Sequence, residues 1–344
     1  MNLSQTNKKL FELFKSAKSP NPELDASIIL EFVLKIKRAE ALTHPKLILK
    51  ESQTAKIFKL AKRRLIGEPI AYLTNHKEFF GYDFFVNKNV LIPRPESEWL
   101  IEHSLELIKS KVQKVEGRFH ILDLGTGSGC LIISLVSQLI SEPATGLFNF
   151  FASDVSSKAI VVAKKNSKTL LSRHSERSEE SYKGEGILRH AQNDTIKFIH
   201  SSLFSNHLLR KKFDLIIANL PYVPITDYHL DSSTLSSKLE RSSTEENYIK
   251  LQDLSTPLRS TRDDNGIAFE PASAIFAQDN GAEIIKIFLS ESLKYLAKNG
   301  VILIELDPRN AIELEKFSRK TYPNAKIKLE KDLAGLDRYL SIEN

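Results

Sequence analysis

Asn219-Leu220-Pro221-Tyr222 holds the residue types in this chain best suited to chemistry. A side-chain amide, a free backbone carbonyl, a proline-fixed turn and an aromatic face stand in consecutive positions. Such a set suits gripping a planar amide or amino group. Leu215, Ile216 and Ile217 just before it form a short apolar run bounded by polar or turn residues, the pattern of a buried parallel strand. The tetrapeptide therefore falls where open α/β sheets keep their ligands, at the C-terminal end of a strand. A strand-ending turn with a packed tyrosine would read the same way, so a second motif has to decide.

That motif is Asp123-Leu124-Gly125-Thr126-Gly127-Ser128-Gly129, between an apolar strand pattern at 119–124 and a helical one at 129–140. Glycine lacks Cβ, so the backbone can turn sharply there and approach a ligand closely. Free N–H groups at the helix start favour a carboxylate or phosphate. The spacing is Gly-x-Gly-x-Gly, not the Gly-x-Gly-x-x-Gly of a dinucleotide fold, and no Gly-Lys-Ser/Thr follows. An acid just before such a loop resembles the S-adenosylmethionine site of Rossmann-like methyltransferases. The next strand, 148–153, runs into Asp154, where a carboxylate can accept both hydroxyls of a nucleoside ribose. Its competing role is to cap the helix that begins near Ser157.

These motifs need a framework to hold them, and the periodicity supplies one. Strand patterns at 119–124, 148–153, 196–200, 213–218, 300–306, 325–330 and 337–342 alternate with helical patterns at 129–140, 157–170, 281–298 and 309–320. This predicts an α/β fold with a doubly wound sheet whose last two strands form an antiparallel hairpin around Gly335. Upstream, Leu10, Phe11, Leu13 and Phe14, then 24–36, then Ile57, Leu60, Ala61 and Leu65 make three apolar stripes of a small helical bundle. Phe79, Phe80, Tyr82, Phe84 and Phe85 around Gly81 predict a β-hairpin. A proline segment, Ile92 to Glu96, and a helix over 97–111 follow it. The predicted organisation is a bundle at 1–75, a hairpin linker at 76–96 and a sheet domain at 97–344. Segments 172–194 and 231–266 are rich in charge and poor in large apolar residues, and are expected as mobile inserts. His174 and His190 in the first are read as solvated, not as metal ligands.

The 344 residues suffice for two cores. A single cysteine, Cys130, excludes an intramolecular disulfide and suits a reducing cytoplasm; it is read as a small buried filler. No apolar run approaches the roughly 18 residues of a membrane helix, so neither a membrane span nor a signal peptide is expected. The net charge of +6 is concentrated before residue 110. The Lys59, Lys62, Arg63, Arg64 cluster has helical spacing without interleaved aromatics, and no stable nucleic acid binding is expected from it.

The chain also resembles the release factor glutamine methyltransferases. The resemblance rests on Leu24-Asp25-Ala26, Gly67-Glu68-Pro69-Ile70-Ala71-Tyr72-Leu73, Leu91-Ile92-Pro93-Arg94-Pro95-Glu96, the glycine loop, Phe269-Glu270-Pro271 and Asp332-Leu333-Ala334-Gly335. It implies a class I methyltransferase sheet and S-adenosylmethionine as cofactor. The implied acceptor is the glutamine amide in the Gly-Gly-Gln motif of class I peptide chain release factors, which the bundle would bind. Gly125, Thr126, Gly127, Ser128 and Gly129 would hold the methionine part, Asp154 the ribose, and Leu203 would line the adenine pocket beside Ser202, where the family often has an acid. Asn219, Leu220, Pro221 and Tyr222 would form the catalytic, amide-binding site, with Asn219 also at the cofactor. The family motif there is Asn-Pro-Pro-Tyr, from which Leu220 departs; it keeps the carbonyl and loses the fixed φ of proline. Two other readings stay open: an adenine amino-methyltransferase acting on nucleic acid, and a degraded, non-catalytic binder.

Overall fold

The computed structural model describes residues 1–112, 117–139, 148–179, 196–224, 269–277 and 281–344. The predicted insert at 231–266 and the end of the one at 172–194 lie outside these residues, as do His190 and the side chain of His174. Two compact units are formed, the first spanning Met1–His76 together with Phe269, the second running from Lys77.

In the first unit the apolar stripes fold as helices α1 (Leu3–Ser16), α2 (Pro22–Leu34), α3 (Arg38–Thr43), α4 (Glu51–Leu65) and α5 (Ile70–Thr74). Asn2 and Gln5 close a reciprocal capping box on α1, and Pro22 starts α2, where its missing N–H costs nothing. Leu10, Phe14, Ile29, Ile57, Leu60 and Ala61 meet in one core, whereas Leu65, in the last turn of α4, is exposed. Asp25 is buried there and pairs with Arg64 Nε at 2.8 Å while accepting from Ser19 Oγ at 2.6 Å.

The second unit opens with the hairpin β1 (Lys77–Phe79) and β2 (Tyr82–Phe84). Phe80 and Gly81 both take positive φ at its two-residue turn, which matches the right-handed twist of the strands. Asn166 receives the N–H of Phe85 and donates to its carbonyl, fastening the chain after the hairpin. Then follow α6 (Glu98–Lys111), β3 (Phe119–Leu124), α7 (Cys130–Leu139), β4 (Phe148–Asp154), α8 (Ser157–Glu179), β5 (Ile196–His200) and β6 (Phe213–Ala218). Next come the short parallel pair β7 (Val223–Pro224) and β8 (Phe276–Ala277), then α9 (Glu283–Ser292), β9 (Leu296–Glu305), α10 (Ala311–Thr321), β10 (Lys326–Lys331) and β11 (Asp337–Glu343).

Seven strands form one sheet in the order β10-β11-β9-β6-β3-β4-β5, with only β11 antiparallel to its neighbours. The chain winds outward from β3 to β5 and then returns to the other side through β6 and β9. The strand order thus reverses between β3 and β6, where a crevice opens at the C-terminal strand ends. Two elements differ from the sequence expectation. The helix expected at 281–298 ends at Ser292, and β9 begins at Leu296, which pairs with Phe213 before the register resumes at Val301 and Leu215. Lys298-Asn299-Gly300 is therefore an irregularity within the strand, and Lys298 is not helical. A Cβ on Gly300 would meet three neighbours at 2.9 Å. Helix α8 continues to Glu179, into the segment expected as a loop, because no glycine or proline interrupts it.

Candidate active site

A cavity of about 110 Å³, open to solvent, lies over the C-terminal ends of β3, β4 and β6. Gly125, Thr126, Gly127, Ser128, Asp154, Leu203, Asn219, Leu220 and Pro221 all line it, so the structure brings most of the sequence-selected residues into one place. The strand ends explain this. Leu124 pairs with both Ser153 and Ala218, so the residues that follow these three strands emerge side by side.

The glycine loop is tied to β4 at its base. The Ser153 carbonyl accepts from the N–H groups of Gly125 at 2.8 Å and Thr126 at 2.9 Å. Gly125, Gly127 and Gly129 all have positive φ. Gly129 does not line the cavity. A Cβ there would stand 2.7 Å from Ile133 Cδ1 and 3.2 Å from the Cβ of Ala163, so its bareness lets α7 and α8 pack. Asp123 is fully buried beneath the loop and accepts from Thr126 Oγ1 at 2.6 Å. Burial pushes its carboxyl up to about 7 against the pull of that hydrogen bond, with the nearby Asp154 charge adding to the rise. Burial likewise raises the Cys130 thiol to about 12, which leaves it an unreactive wall of the cavity.

Asp154 accepts from Gly127 N at 2.9 Å through Oδ2 and from Ser156 N at 2.8 Å through Oδ1. Its carboxylate thus braces the loop, while Ser156 Oγ caps α8 by accepting from Ala159 N. Each Asp154 oxygen keeps a lone pair for a ligand. Leu203, held at φ 44°, lines the cavity with the buried Ser201; Ser202 is exposed and does not line it.

The Asn219 end of the cavity contains a partner that sequence reasoning missed. Ala218 on β6 pairs with Ile304 on β9, so the next residues, Asn219 and Glu305, stand together at the strand ends. Glu305 is 1% exposed and its carboxylate accepts three hydrogen bonds. They come from Ser97 Oγ at 2.6 Å, Asn219 Nδ2 at 3.0 Å and the Tyr222 hydroxyl at 2.8 Å. Asn219 Nδ2 also donates to Ser97 Oγ at 2.8 Å. Burial raises the Glu305 carboxyl, opposed by the donors Ser97 and Tyr222. The Tyr222 hydroxyl is raised well above its ordinary value by burial and by the adjacent Glu305 charge. Tyr222 does not line the cavity. It packs on the sheet core with its hydroxyl turned to Glu305. The available signal was an acid closing the apolar run Val301 to Ile304, but its partners lie far away in sequence.

Arg94 and Pro93 form a further wall. Arg94 pairs with the buried Glu270, which also accepts from the N–H of Ile92 at 2.9 Å. Burial raises the Glu270 carboxyl, and Arg94 opposes the rise. This fixes the proline segment at the cavity mouth. Among the described residues no His, Cys, Asp and Glu cluster could hold a metal ion, and no helix is long and apolar enough to cross a membrane.

Comparison with known proteins finds relatives over most of the chain. A family model described as the PrmC N-terminal domain matches residues 8–74. The release factor glutamine methyltransferase of Leptospira interrogans is 30% identical over 334 residues, spanning 97% of this chain and 95% of that protein. The protein of the same name from Nitratidesulfovibrio vulgaris is 29% identical over 327 residues, spanning 95% and 90%. A bifunctional methyltransferase of Rickettsia typhi is 33% identical over 83% of this chain, which matches 46% of that longer protein. Among solved structures, a release factor-specific protein-(glutamine-N5) methyltransferase from Alicyclobacillus acidocaldarius covers 75% of this chain and 98% of its own, at 16% identity and a TM-score of 0.35. The mixed seven-stranded sheet has the class I methyltransferase architecture, and with near end-to-end similarity to these proteins the chain belongs to the release factor glutamine methyltransferase family.

Proposed function

We propose that this protein methylates the side-chain amide nitrogen of the glutamine in the Gly-Gly-Gln motif of class I peptide chain release factors, using S-adenosylmethionine. The observation that carries this reading is the orientation of Asn219. The nitrogen end of its amide is turned to Ser97 and Glu305, which leaves Oδ1 as an acceptor beside the glycine-loop cavity.

The cavity suits the cofactor: bare glycine backbone on one side, the Asp154 carboxylate in reach, and apolar Leu203 beyond it. Gly125 to Ser128 would hold the methionine part, Asp154 the ribose and Leu203 the adenine. Bound S-adenosylmethionine would supply a methyl group already activated on a sulfonium. The protein's task is then alignment. An amide nitrogen is a poor nucleophile because its lone pair is delocalised into the carbonyl. Asn219 Oδ1 and the Leu220 carbonyl, accepting its two hydrogens, would favour a more tetrahedral nitrogen and fix the direction of its lone pair. Pro221 stiffens the turn, and Tyr222, anchored at Glu305, holds the far side of the motif. The helical unit Met1–His76 would dock the release factor.

The test offers purified protein and labelled S-adenosylmethionine an intact release factor, the same factor with its Gly-Gly-Gln glutamine replaced, and unmethylated DNA. Label in the intact factor alone is expected. Label in DNA would favour an adenine amino-methyltransferase, and label in none would favour a non-catalytic binder.

A further inference from the structure

Nothing in the shape of an asparagine side chain selects which end of its amide faces a substrate, because oxygen and NH2 are nearly isosteric. The selection has to come from hydrogen bonding, and here the partners dictate it. Ser97 has one hydroxyl hydrogen, committed to Glu305 Oε2 at 2.6 Å, so its oxygen is left to accept. Glu305, whose two carboxyl oxygens receive the hydroxyls of Ser97 and Tyr222, acts as an acceptor. Asn219 therefore faces two acceptors, and only Nδ2 can satisfy them, at 2.8 and 3.0 Å. Turning the amide over would aim Oδ1 at both oxygens, losing two hydrogen bonds and adding repulsion. Tyr222 meanwhile donates to Oε1, so that Ser97 and Asn219 share Oε2. Burial of Glu305 denies the carboxylate competing water, which strengthens this ordering.

We propose that Glu305 is a positioning residue for methyl transfer, its carboxylate setting the orientation of the Asn219 amide so that Oδ1 meets the acceptor nitrogen. This rests on the glutamine methyltransferase reading above and assigns the residue that makes Asn219 competent. A glutamine at 305 keeps the volume but brings its own NH2. With that NH2 donating to Ser97, the Ser97 hydrogen turns toward residue 219, and the wrong Asn219 orientation is stabilised.

The experiment compares wild type, Glu305→Gln and Ser97→Ala by steady-state kinetics on a release factor, by equilibrium binding of S-adenosylmethionine and by thermal melting. It also follows hydrogen exchange of the Asn219 side-chain NH2 by NMR, its signal assigned through its loss in Asn219→Asp. Glu305→Gln is expected to lower kcat roughly tenfold or more, the scale of a misaligned hydrogen bond to a charged group, with cofactor affinity nearly unchanged. Ser97→Ala leaves the carboxylate in place and is expected to lower kcat less. The Asn219 NH2 should exchange slowly in wild type and faster in Glu305→Gln. Wild-type kcat in Glu305→Gln overturns the proposal. So does a parallel loss of kcat, cofactor affinity and melting temperature, the mark of a merely structural residue. Fast exchange of the Asn219 NH2 in wild type overturns it whether or not the release factor is methylated, so the two readings fail separately.

Discussion

Leu220 lies against the bare α-carbon of Gly125: a β-carbon on Gly125 would stand 3.1 Å from Leu220 Cδ2. The glycine loop and the Asn219 motif therefore touch directly across the gap between β3 and β6. The residue that departs from the family's proline is a buried packing element, 4% exposed.

This contact makes the two positions interdependent. Gly125→Ala should weaken S-adenosylmethionine binding, since φ of 81° is strained for alanine and the new methyl presses on Leu220. Adding Leu220→Ala removes the clash but not the backbone strain. The double variant should recover part of the lost affinity, seen as a coupling energy in a double-mutant cycle of cofactor Kd. Leu220→Ala alone should lower unfolding stability by about 2–4 kcal/mol in a denaturant titration.

Gly281 supports the motif from behind. A Cβ there would fall 1.9 Å from the Tyr222 carbonyl oxygen and 3.1 Å from Asn310 Nδ2. Backbone, not a flexible side chain, would have to move. Gly281→Ala should lower kcat by roughly tenfold or more while cofactor affinity changes little, because misalignment of the acceptor groups is felt mainly in turnover.

Asp154→Ala should raise the Kd for S-adenosylmethionine roughly tenfold or more, the weight of a hydrogen bond to a charged group. The variant also removes the acceptor for Gly127 N and Ser156 N, so the loop itself should loosen. Calorimetric titration checks this. A lowered rate at saturating cofactor with unchanged affinity would contradict the assignment.

Stability should carry the signature of Asp123. Its carboxyl is raised from 3.8 to about 7 by burial, so the folded state binds the proton more tightly than the unfolded chain. This group's contribution is greatest in acid. It is lost as pH rises from the unfolded value through about 7, and is flat above. Asp123→Asn should keep the Thr126 hydrogen bond, remove that slope and raise the melting temperature at pH 8 relative to wild type. Melting curves between pH 5 and 8 read the difference.

In the helical unit, Asp25 holds Arg64 and Ser19, with 7% and 18% side-chain exposure for the acid and the arginine. Asp25→Ala leaves a largely buried guanidinium without its partner. It should destabilise that unit by about 2 kcal/mol or more, measured by loss of helical circular dichroism on heating.

Local sequence was sufficient for every strand that carries the cavity. The apolar runs at 119–124, 148–154 and 213–218 and the glycines between β3 and α7 encode their own conformations, and strand ends in such sheets face the crevice. Where local pattern misled, long-range pairing was responsible. Residues 296–298 read as the end of a helix until Phe213 pairs with Leu296 and the register resumes at Val301. Asn219 was legible as an amide-gripping residue, but the direction of its amide was not. That direction depends on Ser97, just before α6, and on Glu305 at the end of β9, which the pairing of Ala218 with Ile304 sets beside Asn219. The sequence by itself determined which functional groups reach the crevice, because period and glycine placement act over a few residues. Only the tertiary structure decided how the central amide is turned, because that choice is made by hydrogen-bond partners from distant parts of the chain.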